Sequence, residues 1–492
     1  MNLNVADSCA GADCWLIPFE DGACLKAALP AEIEKVVKGA LASGAFDGKE
    51  RKVLALSALR GSELVWAVLC ALPRWTQRSD NRRIFLALAD GFRQCRRLGA
   101  KKVAFACENA GSMERPEVFA KACETPFLVD YRFEKYRSAP SKNFFESVTM
   151  VTSRPESAAL AREAAVCAAS AVMARNLVNE PACVLDPAGL AEAARKTAQE
   201  CGLEISVLEK DALEKLHMDA FLAVGRGAHT TPPALIVLRR RVNDGPVIGL
   251  IGKAIMYDSG GYSLKTREGM KTMFDDMGGA AAVLGASRSA ALNGLPVNVT
   301  AVMAACENKV ASDAYVPGDV LGSMSGKTIE MLNTDAEGRL TLADAVTYAI
   351  REERVDSLLD IATLTGAART AVVNRTSAVM ASGEGLFEVL REASYDACEK
   401  VWQLDCDEEL RPILNSSVAD IKNSAPGNTT AGVITAGLFI KEFTEGKPWL
   451  HVDMAPVNYT AEDQPWCDKG ATGYGASLLY HYLKRQSGAA SL

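Results

Sequence analysis

Histidine is scarce in this chain of 492 residues, which contains only four. No His-Glu-x-x-His run occurs, so a zinc site built on histidines is nearly excluded. A Gly-x-Ser-x-Gly elbow is also absent, which removes the serine hydrolases of that type. A metal site in this chain would therefore be built mainly from carboxylate oxygens.

The chain also lacks an excess of basic residues. Its formal net charge of -7 argues against a nucleic-acid partner. The best candidate for a local basic patch is interpreted as a solvated helix end. That patch comprises Arg93, Arg96, Arg97, Lys101 and Lys102.

Long apolar runs are missing as well. No apolar stretch reaches the roughly 18 residues that a membrane span needs, so we expect no membrane association. The opening residues MNLNVAD lack the basic and apolar parts of a signal peptide. The fourteen cysteines are scattered and show no zinc-ribbon pairing. Together these observations predict a cytoplasmic protein with reduced thiols.

The length exceeds the usual size of a single core, which predicts two or more domains. Short apolar runs alternate with helical stretches along the chain, and this alternation predicts the α/β class. We expect a smaller N-terminal α/β domain (1–155) with a mainly parallel sheet, a linking helix (156–178) and a larger C-terminal domain (179–492). In the larger domain, a mixed or parallel sheet would be sandwiched by helices. The candidate strands are 14–18, 64–69, 103–107, 234–239, 247–251, 297–304, 357–363 and 449–453, and the candidate helices are 81–98, 278–292 and 340–351.

The octapeptide NTDAEGRL at 333–340 offers two carboxylates, Asp335 and Glu337, at a spacing that lets both reach one ion. Arg339 adds a planar cation suited to an oxyanion. Taken alone, such a run is more often a polar loop than a metal site.

A second polar cluster follows the apolar run 246–251, which reads as a buried strand. It contains Lys253, Asp258, Lys265 and Asp276, and Lys253 is expected near the carboxyl end of the strand. Ligands of open α/β sheets bind beyond the carboxyl ends of strands. The two clusters together could form an ion-pair network, but four buried carboxylates favour a pair of divalent cations.

These stretches resemble the leucyl aminopeptidase family, the two-metal cytosolic exopeptidases. The octapeptide is highly specific to that family, whereas the first 150 or so residues match none of its motifs. The resemblance identifies 179–492 as a catalytic dinuclear-metal peptidase domain. The matching stretches are 252–280, 333–340, 174–181 (ARNLVNEP), 360–366 (DIATLTG), 419–423 (ADIKN) and 449–455 (WLHVDMA).

The resemblance implies two divalent ions, Mn²⁺ or Zn²⁺ with Mg²⁺ as a further candidate, and a hydroxide between them that attacks the peptide bond. Asp258 and Glu337 would bridge the ions. Lys253 and Asp276 would complete the tighter site, and Asp335 the more exchangeable one. A lysine ligand must be neutral, so Lys253 would need a lowered pKa.

The remaining roles also come from the resemblance. Lys265 would stabilise the oxyanion of the tetrahedral intermediate, and Arg339 would hold a bicarbonate that shuttles the proton. Short peptides would be the substrates and a homohexamer the assembly. The substrate contacts would be Met273, Thr363, Leu364, Gly366 and Ala455, with Asn458 as a polar candidate for the rim of the pocket.

The sequence departs from the family pattern at two places near the predicted metal site. Ala254 stands where the family has glycine and Met256-Tyr257 where it has Thr-Phe, which leaves metal choice and substrate preference undecided.

The run GSMSGKT at 322–328 has one residue too few for a phosphate loop and is expected to be a hairpin turn. The alternative functions are a non-catalytic structural or DNA-binding relative and a two-metal phosphoesterase.

Overall fold

The computed structural model describes residues 1–20, 22, 24–49, 51–141, 144–425 and 431–488. The chain forms two compact units, and the first comprises Met1–Val172, Tyr395–Cys398 and Thr460–Gly470. The second contains the described residues of 173–394, 399–459 and 471–492. The domain boundaries predicted at residues 155 and 178 stay a prediction.

The first unit contains a six-stranded sheet. Its order is β1-β6-β5-β2-β4-β3, and every pair is parallel except β3 with β4, so the predicted mainly parallel sheet is confirmed. The strands are β1 (Asn2–Ala6), β2 (Cys14–Glu20), β3 (Val53–Arg60), β4 (Glu63–Leu72), β5 (Lys102–Ala106) and β6 (Ser147–Val151). The helices are α1 (Ala31–Ala42), α2 (Asn81–Arg97), α3 (Pro116–Asp130) and, beginning in this unit, α4 (Ser157–Asn179).

Strand β2 is buried on both faces because its side chains alternate between two apolar clusters. Leu16 packs in one cluster and Ile17, its neighbour, in the other, and neither is accessible to solvent. When both faces of a strand are buried, apolar and polar residues do not alternate along its sequence. This is why β2 reads in the sequence as a continuous apolar run.

The interpretation of this basic run as a solvated helix end is wrong for Arg93 and Arg96. Arg93 is only 8% exposed, and its Nη2 lies 2.9 Å from Asp468 Oδ1. Arg96 binds the same carboxylate at 2.9 Å. Both arginines hold the segment 460–470, which belongs to the same unit but lies far away in the sequence. The partner segment therefore left no local signal near residue 93.

Helix α4 is the one described helix that is long and apolar enough to span a membrane by length and composition. In its most apolar stretch, 44% of the residues are buried inside the protein. Core helices of soluble proteins pass the same test, so the helix carries no conclusion about membranes.

The other elements of the described chain include an eight-stranded sheet, a three-stranded sheet and a two-stranded sheet. The strands are β7 (Glu204–Leu208), β8 (Ala234–Arg240), β9 (Val247–Asp258), β10 (Asn298–Asn308), β11 (Val320–Leu321), β12 (Ile329–Glu330), β13 (Ser357–Ala362), β14 (Ser377–Ser382), β15 (Val401–Gln403), β16 (Ile421–Lys422), β17 (Trp449–Asp453), β18 (Tyr459–Thr460) and β19 (Gly470–Ala471). The helices are α5 (Pro187–Cys201), α6 (Lys210–Lys215), α7 (Asp219–Gly225), α8 (Arg267–Met270), α9 (Gly278–Leu292), α10 (Gly338–Arg351), α11 (Gly366–Val372), α12 (Leu386–Ala397), α13 (Gly432–Lys441) and α14 (Ala476–Gln486).

The order of the eight-stranded sheet is β15-β14-β17-β13-β9-β10-β8-β7. The pairs β14-β17, β10-β8 and β8-β7 are antiparallel, and the other four pairs are parallel. A Cβ on Gly252 would lie 2.7 Å from Gly279 O of α9. The next side chain, Lys253, reaches Gly338 of α10. Because successive side chains of a strand point to opposite faces, α9 and α10 cover opposite faces of the sheet. The predicted sandwich of helices around a mixed sheet is thus confirmed.

Strand β9 is longer than predicted, so the expected position of Lys253 is wrong. The strand continues to Asp258, and Lys253 lies in its interior rather than near its carboxyl end. The apolar run ends at Ile251, but the chain stays extended because residues 252–255 continue to pair with β10. The hairpin expected at 322–328 is confirmed, since β11 and β12 pair antiparallel around it.

Candidate metal centre

Two loops beyond β9 bring the predicted site residues together. Asp258 ends β9, and the octapeptide forms the loop that leads into α10. The chain turns after Asp258 at Gly260, whose φ of 84° is unfavourable for residues with a side chain. A Cβ at Gly260 would also lie 2.9 Å from Asp335 Oδ1, so the glycine lets the two loops approach each other.

Lys253 binds two of the predicted carboxylates. Its Nζ lies 2.8 Å from Asp276 Oδ2 and 2.9 Å from Glu337 Oε1, and it donates to Thr363 O over 3.0 Å. A Cβ at Gly338 would lie 2.5 Å from Lys253 Cε, so the glycine leaves the room that the lysine needs. Burial opposes the charge of Lys253, but the carboxylates of Asp276 and Glu337 outweigh it and raise its pKa.

Lys265 binds the other two carboxylates. Its Nζ lies 2.7 Å from Asp258 Oδ2 and 2.5 Å from Asp335 Oδ1. Burial opposes its charge as well, and the same carboxylates raise the pKa of Lys265. The Asp335 side chain is 34% exposed, whereas that of Asp258 is 2% exposed. The cluster is therefore closed around Lys253 and open to solvent at Asp335.

The carboxylates fit divalent cations. One oxygen each of Asp258, Asp335 and Glu337 lies within 4.8 Å of the other two, as oxygens around a shared ion do. Glu337 Oε2 is buried and has no hydrogen-bond partner among the described residues. Among the residues that the structure describes, these four carboxylates pair with two ammonium groups, which leaves an excess of negative charge. Bound divalent ions would neutralise that excess.

The pKa values of the carboxyl groups reflect the same excess. Burial raises the pKa of Asp276 and of Glu337, and the neighbouring carboxylates raise both further against the attraction of Lys253. Burial and the charge of Asp258 raise the pKa of Asp335. A bound cation would favour the ionised form of every one of these groups.

Arg339 lies beside this cluster without joining it. Its Nη1 donates to Asn423 O over 2.7 Å, and its Nε has no partner in the part of the chain that the structure describes. Within those residues it forms no ion pair with the four carboxylates. Burial lowers the pKa of Arg339 to about 10, so the guanidinium remains charged at neutral pH. An unpartnered buried donor of this kind suits a bound anion.

Two residues that the sequence did not single out position the carboxylates. Asn308 Nδ2 donates to Asp258 Oδ1 over 2.8 Å and to Thr334 O over 2.9 Å. Thr334 Oγ1 in turn donates to Gly260 O over 2.7 Å, which ties the octapeptide to the other loop. Asn308 is a polar residue at the carboxyl end of a buried strand, and this is a recognisable signal. It was missed because that strand was expected to end at residue 304.

Three of the five predicted substrate contacts lie together next to the cluster. Thr363 Oγ1 donates to Asp276 Oδ1 over 2.7 Å. The backbone N–H groups of Leu364 and Ala455 donate to the same oxygen, Asp453 Oδ1, over 3.3 and 3.2 Å. The aspartate that joins them was not identified as a functional residue from the sequence.

The other positions are less directly connected. Met273 begins a short 3₁₀ turn that runs to Asp275. Gly366 begins α11, and a Cβ there would meet nothing within 4 Å. The amide of Asn458 is buried and donates to Asp275 O over 2.7 Å, so its Nδ2 is committed to the protein.

Comparison with known proteins identifies the family of this chain. Residues 172–480 match the catalytic domain of the cytosol aminopeptidase family. This chain belongs to that family. A probable cytosol aminopeptidase of Clostridium perfringens (strain 13 / Type A) is 38% identical over 488 residues, which cover 97% of this chain and 98% of the relative. A probable cytosol aminopeptidase of Alkaliphilus oremlandii is 39% identical over 463 residues and covers 92% of both chains.

Solved structures agree with the family assignment. The bottromycin maturation enzyme BotP in complex with Mn aligns with a TM-score of 0.83 at 29% identity, over 97% of this chain and all of that one. The cytosol aminopeptidases are metal-dependent hydrolases that remove the N-terminal residue of peptides, and this chain is one of them. The alternatives of a non-catalytic relative and a phosphoesterase find no support.

Proposed function

We propose that the carboxylate cluster holds two divalent ions and that this centre hydrolyses the first peptide bond of short peptides. The observation that carries the proposal is the convergence of Asp258, Asp335 and Glu337 oxygens within 4.8 Å, with Glu337 Oε2 unpartnered in the described chain. Asp258 and Glu337 would each hold both ions. Lys253 and Asp276 would complete the tighter, buried site, and the more exposed Asp335 would complete the exchangeable one.

The metals are Mn²⁺ or Zn²⁺, with Mg²⁺ as a further candidate, and the manganese in the BotP complex supports the first of these. When bound, such ions supply Lewis acidity toward the scissile carbonyl and a hydroxide nucleophile at neutral pH. If its carboxylates were bound to cations, the nearby positive charge would lower the pKa of Lys253 and leave a neutral amine able to hold metal.

Lys265 and Arg339 are the catalytic groups of the chain itself. Lys265 stays protonated because Asp258 and Asp335 favour its charge, and it lies where the cluster opens to solvent. It therefore donates to the oxygen of the peptide carbonyl as negative charge develops there. Arg339 would hold a bicarbonate through its unpartnered Nε, and that anion would supply a group for proton transfer to the leaving amine.

The substrate is a short peptide whose first residue contacts Met273, Thr363, Leu364, Gly366 and Ala455. Thr363 supports this placement because it touches Asp276, and Leu364 and Ala455 because they share Asp453. The enzyme acts in the cytoplasm, in keeping with the names of its relatives. A homohexamer, which rests on the family resemblance, would admit only short peptides to the sites.

The decisive experiment measures activity and metal content on the same sample. We expect hydrolysis of leucine-p-nitroanilide to disappear after dialysis against a chelator and to return with Mn²⁺ or Zn²⁺, with two ions bound per chain. Protein dialysed without chelator is the control. Full activity of the chelated, metal-free protein would overturn the proposal. A screen of other aminoacyl anilides on the restored enzyme then gives the preferred first residue.

A further inference from the structure

Asp453 is a fully buried carboxylate that accepts hydrogen bonds from Leu364 and Thr365 and from Ala455, two residues after it. Its Oδ1 accepts the N–H groups of Leu364 and Ala455, as described above. Its Oδ2 accepts the hydroxyl of Thr365 over 2.7 Å. Thr365 also caps α11, because its Oγ1 accepts the N–H of Ala368 over 3.1 Å. Asp453 thus fixes the turn of residues 363–365 and the start of the helix after it.

The same turn contacts two of the predicted metal ligands. Thr363 O accepts from Lys253 Nζ over 3.0 Å, and Thr363 Oγ1 donates to Asp276 Oδ1 over 2.7 Å. Both contacts come from a residue that directly precedes the two partners of Asp453, Leu364 and Thr365. Movement of the turn would therefore displace the lysine amine and the aspartate together.

Burial raises the pKa of Asp453, whereas the neighbouring His451 favours the ionised carboxylate. His451 lies two residues earlier in β17, and side chains two apart share a face of the sheet. His451 Nδ1 lies 2.6 Å from Asp360 Oδ1, and Trp449 Nε1 donates to Asp360 Oδ2 over 2.6 Å. Burial opposes the imidazolium, but Asp360 and Asp453 favour it and raise the pKa of His451. Arg339 is the other cation whose charge couples to Asp453.

We propose that Asp453 is a positioning residue of the metal centre, which holds the 363–365 turn so that Thr363 fixes Lys253 and Asp276. It touches neither the ions nor the substrate and acts through Thr363. The inference rests on the proposed function, because it assumes that Lys253 and Asp276 bind metal. Outer contacts that orient metal ligands typically contribute about 10- to 100-fold in affinity or activity.

The test compares two aspartates that are both buried and both accept hydrogen bonds from backbone N–H groups. Asp453→Asn keeps the size of the side chain but cannot accept all three hydrogen bonds. Asp344→Asn is the matched control, because Asp344 is also inaccessible and accepts the N–H groups of Phe221 and Met324 over 2.9 and 2.8 Å. Metal affinity is measured on the apo proteins by competition with a chelator for Mn²⁺ and Zn²⁺. Steady-state kinetics at saturating metal and the thermal midpoint complete the comparison.

We expect Asp453→Asn to bind the tighter ion about 10-fold more weakly and to lower kcat about 10-fold at saturating metal, with KM within threefold of the wild type. Asp344→Asn should lower the thermal midpoint without changing metal affinity. Equal losses of stability in both variants, with unchanged metal affinity in both, would reduce Asp453 to a structural residue. Wild-type protein that binds no divalent metal would overturn the proposed function as well.

A double-mutant cycle tests whether Asp453 acts through Thr363. Thr363→Val removes the donor to Asp276 and keeps the carbonyl that Lys253 uses. If both residues act on one contact, the metal affinity of the Asp453→Asn/Thr363→Val protein should be little lower than that of the single variant that binds metal more weakly. Losses that multiply would show independent action and would overturn the route through Thr363. Thr363→Ser, which restores the hydroxyl, should bind metal as the wild type does.

Discussion

Glu337 and Lys253 are joined through one carboxylate oxygen only. Glu337 Oε1 lies 2.9 Å from Lys253 Nζ, and Glu337 Oε2 is buried with no hydrogen bond from any residue that the structure describes. An ion-pair network built for stability alone would satisfy both oxygens, because a buried unpartnered acceptor is costly. The second oxygen is explained if a cation binds there, and several predictions depend on that cation.

Glu337→Gln should remove metal and activity together. The substitution keeps the shape of the side chain and removes the charge that bridges the ions. We expect the bound metal to fall below one ion per chain and kcat/KM for leucine-p-nitroanilide to drop at least about 100-fold. Glu352→Gln is the control, because Glu352 is exposed just after α10, the helix that Glu337 precedes. Full activity of Glu337→Gln with two ions bound would refute the bridging role.

Arg339→Lys should impair anion binding and leave metal binding unchanged. A lysine keeps the positive charge but lacks the planar fork that holds a bicarbonate. Metal content should equal that of the wild type, and kcat should fall about 10- to 100-fold, as for the loss of a proton-transfer group. In buffer freed of carbon dioxide, added bicarbonate should raise the rate of the wild type and leave the variant unchanged. A variant that responds to bicarbonate like the wild type would exclude this site for the anion.

Local patterns predicted the elements that support the site better than the contacts within it. Helix α9 runs from Gly278 to Leu292, as its alanine-rich sequence between glycines predicts. The residues proposed to bind metal were identified because they fall in two short polar clusters, 253–276 and 333–340. Strand β9 was cut short at residue 251, because a buried lysine among carboxylates is not recognised as part of a strand interior.

Contacts between distant segments left no comparable signal. Asn308 reaches Asp258 across 50 residues, and Asp453 reaches Leu364 across 89. Each has the appearance of an ordinary polar residue at the end of a strand. Only the register of the sheet, with β13 between β9 and β17, brings them to one place. Arg93 was misjudged for the same reason, since its partner Asp468 is remote in sequence.

The cysteines should react in three groups. All fourteen are free: Cys24 and Cys183 are exposed, Cys9, Cys201 and Cys406 are partly accessible, and the other nine are buried. Burial raises the pKa of Cys70 to about 12, so its reactive thiolate is rare at neutral pH. A thiol reagent should label the two exposed thiols quickly, the three partly accessible thiols more slowly and the nine buried thiols only in denaturant. The Cys24→Ser/Cys183→Ser protein should lose the fast phase, and fewer than fourteen thiols in unreduced, denatured protein would reveal disulfides.

Asp344 should make the protein less stable as the pH rises from about 4 to 7. Burial raises its pKa from 3.8 to about 7, against the hydrogen bonds from Phe221 and Met324 that favour the carboxylate. Between those values the folded state binds a proton that the unfolded state has lost. The stability from the protonated form is therefore complete below about pH 4 and is lost as the pH passes 7.

The size of the effect follows from the shift, since each pKa unit corresponds to about 1.4 kcal/mol and the group is fully buried. A loss of a few kcal/mol is expected between pH 5 and 7.5. Urea unfolding of the wild type and of Asp344→Asn at both values isolates the contribution, because asparagine does not titrate and every other group is common to both. The wild-type midpoint should fall more steeply with pH than that of the variant. Parallel pH profiles would mean that Asp344 is ionised in the folded protein throughout this range.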